Sequence, residues 1–340
     1  MGDVHWIIIV IIALALIFDF VNGFHDTANA IATSVMTNAI KIPYAILMAA
    51  GLNFLGAIIN VEVAKTIGKD ILDPSSITSF VLVATLISAI LWNIITWKFG
   101  LPSSSSHALL GSLLGVGIVV GAEIKYAGIE KIILGLLISP LIGLFGGIIL
   151  MIIFYWSFRG INTKKLGHVF KKVQVLSAAF MAFSHGGNDA QKSMGIITMA
   201  LMIGGVIDPK VFNVPEWVKF SCAIAMGLGT AVGGWRIIKT VGRGIIELKP
   251  IQGCAAETVS ATVIQAATHI GLPVSTTHVI TSAICGVGSA ENVFKVNWRV
   301  MWNIVLCWFI TIPFVAVFAA IVYKVLHTLA LWTGSYNLFP

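Results

Sequence analysis

Apolar runs long enough to span a bilayer recur from one end of this 340-residue chain to the other. A hydrocarbon core about 30 Å thick takes roughly 20 helical residues to cross, and it offers no water to an open backbone. The runs fall near residues 5–38, 43–64, 76–98, 104–121 and 132–157, then near 173–205, 217–235, 251–270, 275–290 and 298–325. Charged residues make up only 10% of the chain against 58% hydrophobic, too few to cover a soluble protein of this length. The expected fold class is an all-α polytopic membrane protein in the plasma membrane, with the lipid bilayer as its solvent. The stretch from His5 to Phe20 resembles a signal peptide in length, but no small-residue cleavage site follows, so it reads as a mature helix.

Charge placement sets an orientation. A net charge of +7 would suit a nucleic-acid partner in a soluble protein, but in a membrane chain excess Lys and Arg mark cytoplasmic loops. No nucleic acid is expected. Arg159, Lys164, Lys165, Lys171 and Lys172 crowd one stretch without an acid. That stretch, 158–172, reads as a cytoplasmic linker between a first transmembrane repeat, 1–157, and a second, 173–340. Alternation then places Arg236, Lys239, Arg243 and Lys249 inside, and Asp70, Asp73, Glu123, Glu130, Asp208 and Glu216 outside, with both termini outside. Cys222, Cys254, Cys285 and Cys307 show no CxxC or metal spacing and read as small buried hydrophobes.

Two motifs occur twice. Asn22-Gly23-Phe24-His25-Asp26 aligns with His185-Gly186-Gly187-Asn188-Asp189, and Leu101-Pro102-Ser103-Ser104-Ser105-Ser106-His107 aligns with Leu272-Pro273-Val274-Ser275-Thr276-Thr277-His278. The odd number of apolar segments in each half turns the second copy upside down, which predicts two inverted repeats with discontinuous helices. The short fourth and ninth segments have re-entrant hairpins as their alternative.

The chemistry sits in those motifs. A carboxylate such as Asp26 or Asp189 inside an apolar segment costs about 2.5–3.5 kcal/mol on insertion scales, so it needs a partner or a cavity. Helix capping is the plainer reading; the duplication favours a site. Gly23, Gly186 and Gly187 are expected to let the backbone unwind toward a cation, with Asn22, Asn29 and Asn188 adding neutral oxygens of the kind hard cations take. Glu257 adds a further carboxylate. Asp26, Asn29, Asp189 and Glu257 are thus the candidate metal donors. Lys192, one turn after Asp189, reads as its ion-pair partner, standing where a transported cation would sit. Pro102 and Pro273 break the chain, and Ser104, Ser105 and Ser106, like Ser275, Thr276 and Thr277, then open short helices. Their first amides lie at positive dipole ends, so two such pockets can clasp one tetrahedral anion, although ordinary N-capping is again the plainer reading. His107 and His278 follow as ligands or orienters. Asp19 and Glu62 read as interfacial charges.

At these residues the chain resembles the inorganic phosphate transporter family, through Asn22 to Asn29, Ser184 to Asp189 and Leu272 to His278. The resemblance implies an inverted-repeat symporter of phosphate with sodium, or with protons as a metal–phosphate complex. It implies that Asp26, Asp189 and Asn188 serve phosphate and that Asn22, Asp26, Asn29, Asp189, Lys192 and Glu257 serve the coupling cation. It also implies that Ser104, Ser105, Ser106, Ser275, Thr276 and Thr277 bind phosphate. Sodium-coupled members repeat Asn-Asp-Val-Ala-Asn in both halves. Here His25-Asp26-Thr27-Ala28-Asn29 and Asn188-Asp189-Ala190-Gln191-Lys192 depart from it, as in the bacterial low-affinity branch. Glu257 is more usual in the sodium-coupled branch. The expected function is phosphate import by alternating access, coupled to H+ or carrying a metal–phosphate complex. Sodium coupling, or a sulfate or other oxyanion permease, is the alternative. No resident cofactor is expected beyond the co-transported cation (H+, Na+ or metal–phosphate complex). A homodimer is left open. Ser105 or Ser106 beside His107 forms no legible triad, so the chain does not read as an enzyme.

Overall fold

The computed structural model of the chain describes residues 2–73, 76–232 and 244–333. The first half holds α1 (Gly2–Met36), α2 (Ile42–Ala57), α3 (Glu62–Lys69), α4 (Ser79–Phe99), α5 (Ser105–Val120) and α6 (Tyr126–Ser157). The second holds α7 (Thr163–Ile203), α8 (Glu216–Val232), α9 (Pro250–His269), α10 (Thr276–Asn292) and α11 (Trp298–Trp332). Each of the ten apolar segments carries one of these helices, and α3 is an addition the hydropathy does not announce.

Among the described residues four helices, α1, α4, α6 and α11, are long and apolar enough to cross a membrane, and α2 and α3 pass the same test taken together, with a bend of 68° between them. The outer members show where lipid lies. Leu141, Phe145 and Ile149 on α6 are exposed, as are Phe309, Phe314 and Val317 on α11. By contrast α7, at 41 residues, buries Gln174, His185, Asn188, Asp189, Gln191 and Lys192. A helix that hides its polar face belongs at the centre of a bundle. Of the basic residues expected in a linker, Lys164, Lys165, Lys171 and Lys172 lie exposed on the first turns of α7, which Asn162 caps by accepting from the Lys164 amide at 2.9 Å. Arg236, Lys239 and Arg243 lie outside the described residues.

The packing is reciprocal between halves. Helix α1 packs on α8 as α7 packs on α2, and α6 packs on α10 as α11 packs on α5. Helices α4 and α5 pair as α9 and α10 do. At the centre α1 and α7 run antiparallel, since Asn22 meets Asp189 while Thr37 meets Gln174.

The expected unwinding at Gly23, Gly186 and Gly187 does not occur: α1 and α7 are continuous helices through these positions. These glycines serve close approach instead. A Cβ on Gly23 would lie 2.5 Å from the Met226 carbonyl oxygen of α8, and one on Gly186 would lie 2.2 Å from that of Asn53 in α2. Small residues at such crossings let membrane helices touch backbone to backbone. The breaks fall elsewhere, between α2 and α3 and at two hairpin tips. Each tip turns on a left-handed glycine, Gly100 (φ 66°) or Gly271 (φ 67°), with a proline two residues on. The first hairpin is closed at its base by the Asp73 amide on the Glu123 carbonyl at 3.1 Å. The second is closed by Lys249 on Glu291 at 2.7 Å. The tips themselves meet: Ser106 Oγ donates to the Val274 carbonyl at 2.9 Å, and Thr277 Oγ1 to that of Ser103 at 3.2 Å.

Candidate functional site

The two tips converge on the carboxylates of α1 and α7. Asp26 Oδ2 accepts from Ser105 Oγ at 2.8 Å, and its Oδ1 accepts from Thr277 Oγ1 at 3.3 Å. The same Oδ1 lies 2.8 Å from His25 Nδ1, whose other ring nitrogen is 3.1 Å from Thr96 Oγ1. Asn29 Nδ2 donates to Thr277 Oγ1 at 2.8 Å, so the hydroxyl that reaches Asp26 is itself held in place. A helical spacing of three puts Asn29 one turn along the same face as Asp26.

Asp189 has a different environment. Lys192 Nζ lies 2.8 Å from Oδ1, His185 Nε2 lies 3.6 Å from Oδ2, and Asn22 Nδ2 donates to that oxygen at 3.3 Å. Lys192 also reaches Ser105 Oγ at 3.4 Å, which joins the second carboxylate to the first tip. Ligand atoms of Asp26, His185 and Asp189 lie within 4.8 Å of one another, a buried donor set able to hold a cation. Two carboxylates and one ammonium leave a formal charge of about −1 in a low-dielectric interior, so the pocket favours one further positive charge.

The other expected residues take distinct places. Ser104 and Ser275 are the N-caps of α5 and α10, accepting from the His107 and His278 amides at 3.2 Å each. For these two the plain capping reading describes the side chain, while the first turn of each helix remains its positive dipole end. Thr276 is buried beside them, and Ser106 ties the tips together. Asn188 Nδ2 donates to Thr268 Oγ1 at 2.9 Å, holding α7 to the end of α9. His107 and His278 stack on each other at 4.4 Å, and His278 stacks on Trp308 at 3.8 Å, so these rings pack toward α11.

Glu257 does not join the Asp26–Asp189 cluster. It is buried two helical turns along α1 from Asp26, where Thr33 and Gln174 donate to one oxygen and Ser177 donates to the other at 2.5 Å. Asp19, expected at an interface, is instead fully buried on α1, whereas Glu62 is exposed as expected. The change for Asp19 follows from α1 lying inside the bundle, where a residue near a segment end is still covered by α7 and α8.

Three contributors are absent from the expected set. His185 stands four residues before Asp189, a spacing that puts both on one helical face and signals a shared site. His25 adjoins Asp26 in the motif. Gln191 accepts from the Val63 and Ala64 amides at 2.7 and 3.1 Å, capping the buried start of α3. No local sequence signal links residues so far apart.

Comparison with known proteins bears on the family. The family described as "Phosphate transporter family" matches residues 22–166 and 159–319. A protein of Bacillus subtilis named "Probable low-affinity inorganic phosphate transporter" is 49% identical, the alignment covering 94% of this chain and 97% of that one. One of the same name from Rhizobium meliloti is 45% identical over 92% and 94%. A solved structure described as "The sodium-dependent phosphate transporter" superposes with a TM-score of 0.88 at 27% identity, covering 95% of this chain and 99% of that one. With matches across both halves and nearly the full length, this multi-pass membrane protein belongs to the phosphate transporter family.

Proposed function

We propose that this protein imports inorganic phosphate by cation-coupled symport, with the two halves acting as inverted repeats in an alternating-access cycle. The observation that carries the reading is the convergence of both Ser/Thr tips on a carboxylate pair that Lys192 only half neutralises. Ser105, Thr277, Lys192 and the first amides of α5 and α10 are donors suited to phosphate oxygens. A phosphate anion entering a pocket of formal charge about −1 would meet repulsion of several kcal/mol, so it must bring a cation with it. The antiparallel course of α1 and α7 and the reciprocal packing support the inverted-repeat reading.

The coupling ion in this proposal is H+, or a metal ion carried with phosphate as a complex. Lys192 occupies in the second copy the position that Asn29 holds in the first, and its ammonium already supplies Asp189 with a fixed positive charge. Sodium coupling is the second reading, supported by the sodium dependence for which the structural relative is named and by the buried Glu257. The chain would sit in the plasma membrane with both termini outside. The test is uptake of labelled phosphate into proteoliposomes under an imposed proton or sodium gradient, with and without divalent metal. Accumulation driven by the proton gradient is expected. Sulfate competing as well as unlabelled phosphate would refute the substrate, and accumulation driven by sodium alone would refute the coupling ion.

A further inference from the structure

Asp19 lies on α1 two turns before Asp26, fully buried, and neither of its carboxyl oxygens makes a hydrogen bond of good geometry. It faces the Ser193 hydroxyl of α7 and the Cys222 thiol of α8, with the charges of Lys192 and Asp189 beyond them on α7. Ser193 Oγ, also buried, makes no other hydrogen bond, so this hydroxyl and the Cys222 thiol are the weak polar contacts the carboxyl has. The positive charge of Lys192 is engaged with Asp189 at 2.8 Å. Every other membrane-buried carboxylate described above is held by a short contact: Asp26 and Glu257 accept from hydroxyls at 2.8 and 2.5 Å, and Asp189 meets an ammonium at 2.8 Å.

An ionised carboxylate taken from water with only a poorly aligned hydroxyl and a thiol beside it, and no counter-charge in contact, carries a desolvation penalty of several kcal/mol. A carboxylic acid does not, and its O–H has an open acceptor in Ser193 Oγ. We infer that Asp19 is a proton-binding site of the transport cycle, neutral in the arrangement seen here and releasing its proton to water when the end of α1 on its side of the bundle becomes hydrated. The step is a simple dissociation: the O–H bond breaks, the proton leaves to water, and the carboxylate is stabilised by the same water. Asp19 stands apart from the Asp26–His185–Asp189 donor set, so one proton can be carried while that set handles phosphate and its charge.

The inference rests on cation-coupled transport, and the experiment separates the two. Phosphate accumulation driven by a pH gradient and phosphate–phosphate exchange without a gradient are measured in proteoliposomes for wild type, Asp19→Asn and Asp19→Glu. Asp19→Asn should lose gradient-driven accumulation at least tenfold more than it loses exchange, and Asp19→Glu should restore the gradient response. Equal losses in both assays, with no rescue by Asp19→Glu, would mark a packing role and overturn the inference. So would wild-type accumulation that follows sodium and ignores pH, although phosphate transport itself would stand. Infrared difference spectra give a readout that needs no transport. A buried carboxylic-acid carbonyl band should be present in wild type and absent from Asp19→Asn. Its absence from wild type would overturn the assignment even if phosphate uptake is normal, and its presence would uphold it even if no uptake is found.

Discussion

Replacing Lys192 by Asn would make the second copy of the motif match the first, where Asn29 stands one turn after Asp26. The change removes an ammonium 2.8 Å from Asp189 and within 3.4 Å of Ser105, both in the protein interior. Breaking a buried pair by deleting one partner costs about 3–5 kcal/mol when nothing replaces it. The pocket's formal charge moves from about −1 to about −2, and at an effective dielectric near 20 a cation restored at ~4 Å gains about 4 kcal/mol. Since about 1.4 kcal/mol is tenfold in affinity, the ceiling is on the order of a thousandfold tighter sodium binding. Solvent entering the vacated volume lowers that figure, but a tenfold change is readily measured. The assay is phosphate uptake by Lys192→Asn against sodium concentration at fixed pH, paired with thermal unfolding in sodium and in a large organic cation. Sodium should raise both uptake and melting temperature in the variant, and much less so in wild type. Sodium-independent uptake and stability in Lys192→Asn would refute the reasoning. So would steep sodium activation of the unmodified protein with more than one ion per phosphate.

Other perturbations address separate parts of the site. Asp26→Asn should abolish coupled uptake while leaving the folded, inserted protein intact, because the amide keeps the side chain's shape; wild-type uptake rates in the purified variant would exclude the role. Ser105→Ala with Thr277→Ala should raise the phosphate concentration for half-maximal uptake, each lost hydrogen bond to a charged ligand amounting to about 1.5–3 kcal/mol. An unchanged concentration dependence would leave these hydroxyls as props for Asp26 alone. At the base of the second hairpin, burial works against ionised Glu291. Hydrogen bonds from Lys249 and Lys295 outweigh it and hold the carboxyl below the ordinary range. A lowered carboxyl stabilises the fold above its unfolded pKa and ceases to do so as pH falls through the folded value. Glu291→Gln should therefore lower stability by about 0.5–1 kcal/mol at neutral pH, and the deficit should shrink as pH falls below the ordinary Glu range, about 4.3, and vanish once the folded carboxyl is itself protonated. A deficit that persists in acid would rule out the ion pairs as its source.

Hydropathy alone locates the ten longer helices among the described residues, because each must be apolar on the face that meets lipid or core. The short α3 escapes it: its amphipathic sequence depends on a cap from Gln191, far away in the chain. The duplicated motifs point to Asp26, Asp189, Ser105, Thr277 and Lys192, and the fold brings these into one hydrogen-bonded cluster. What glycine does there is not legible, since the same residue serves a broken helix and a close crossing. Gly23 and Gly186 do the second because α8 and α2 lie against them, a tertiary fact with no local signature. Glu257 and Asp19 depart from their expected places for a related reason. Position within an apolar run does not say which neighbouring helix covers a side chain, nor whether that helix offers a donor.

The bonds of the site cross between the halves, and this has a consequence for how it opens. Asn22 of α1 holds Asp189 of α7, Lys192 of α7 reaches Ser105 of the first tip, and Thr277 of the second tip holds Asp26 of α1. Neither half contains a complete site. Any movement that parts the halves must break these three contacts together, and hydrogen bonds to charged groups lost without replacement cost about 1.5–3 kcal/mol each. Something must take their place as they break. Water does so poorly in a narrow apolar bundle, whereas a phosphate anion offers strong acceptors to Ser105, Thr277 and Lys192, and its cation offers charge to Asp26. On this reading the substrate and its cation together replace the contacts that hold the halves closed, while either alone leaves an unpaired charge in the interior. Under the proposed symport that requirement would be the physical content of coupling: the pocket changes its exposure when both phosphate and cation are bound, and is held when only one of them is.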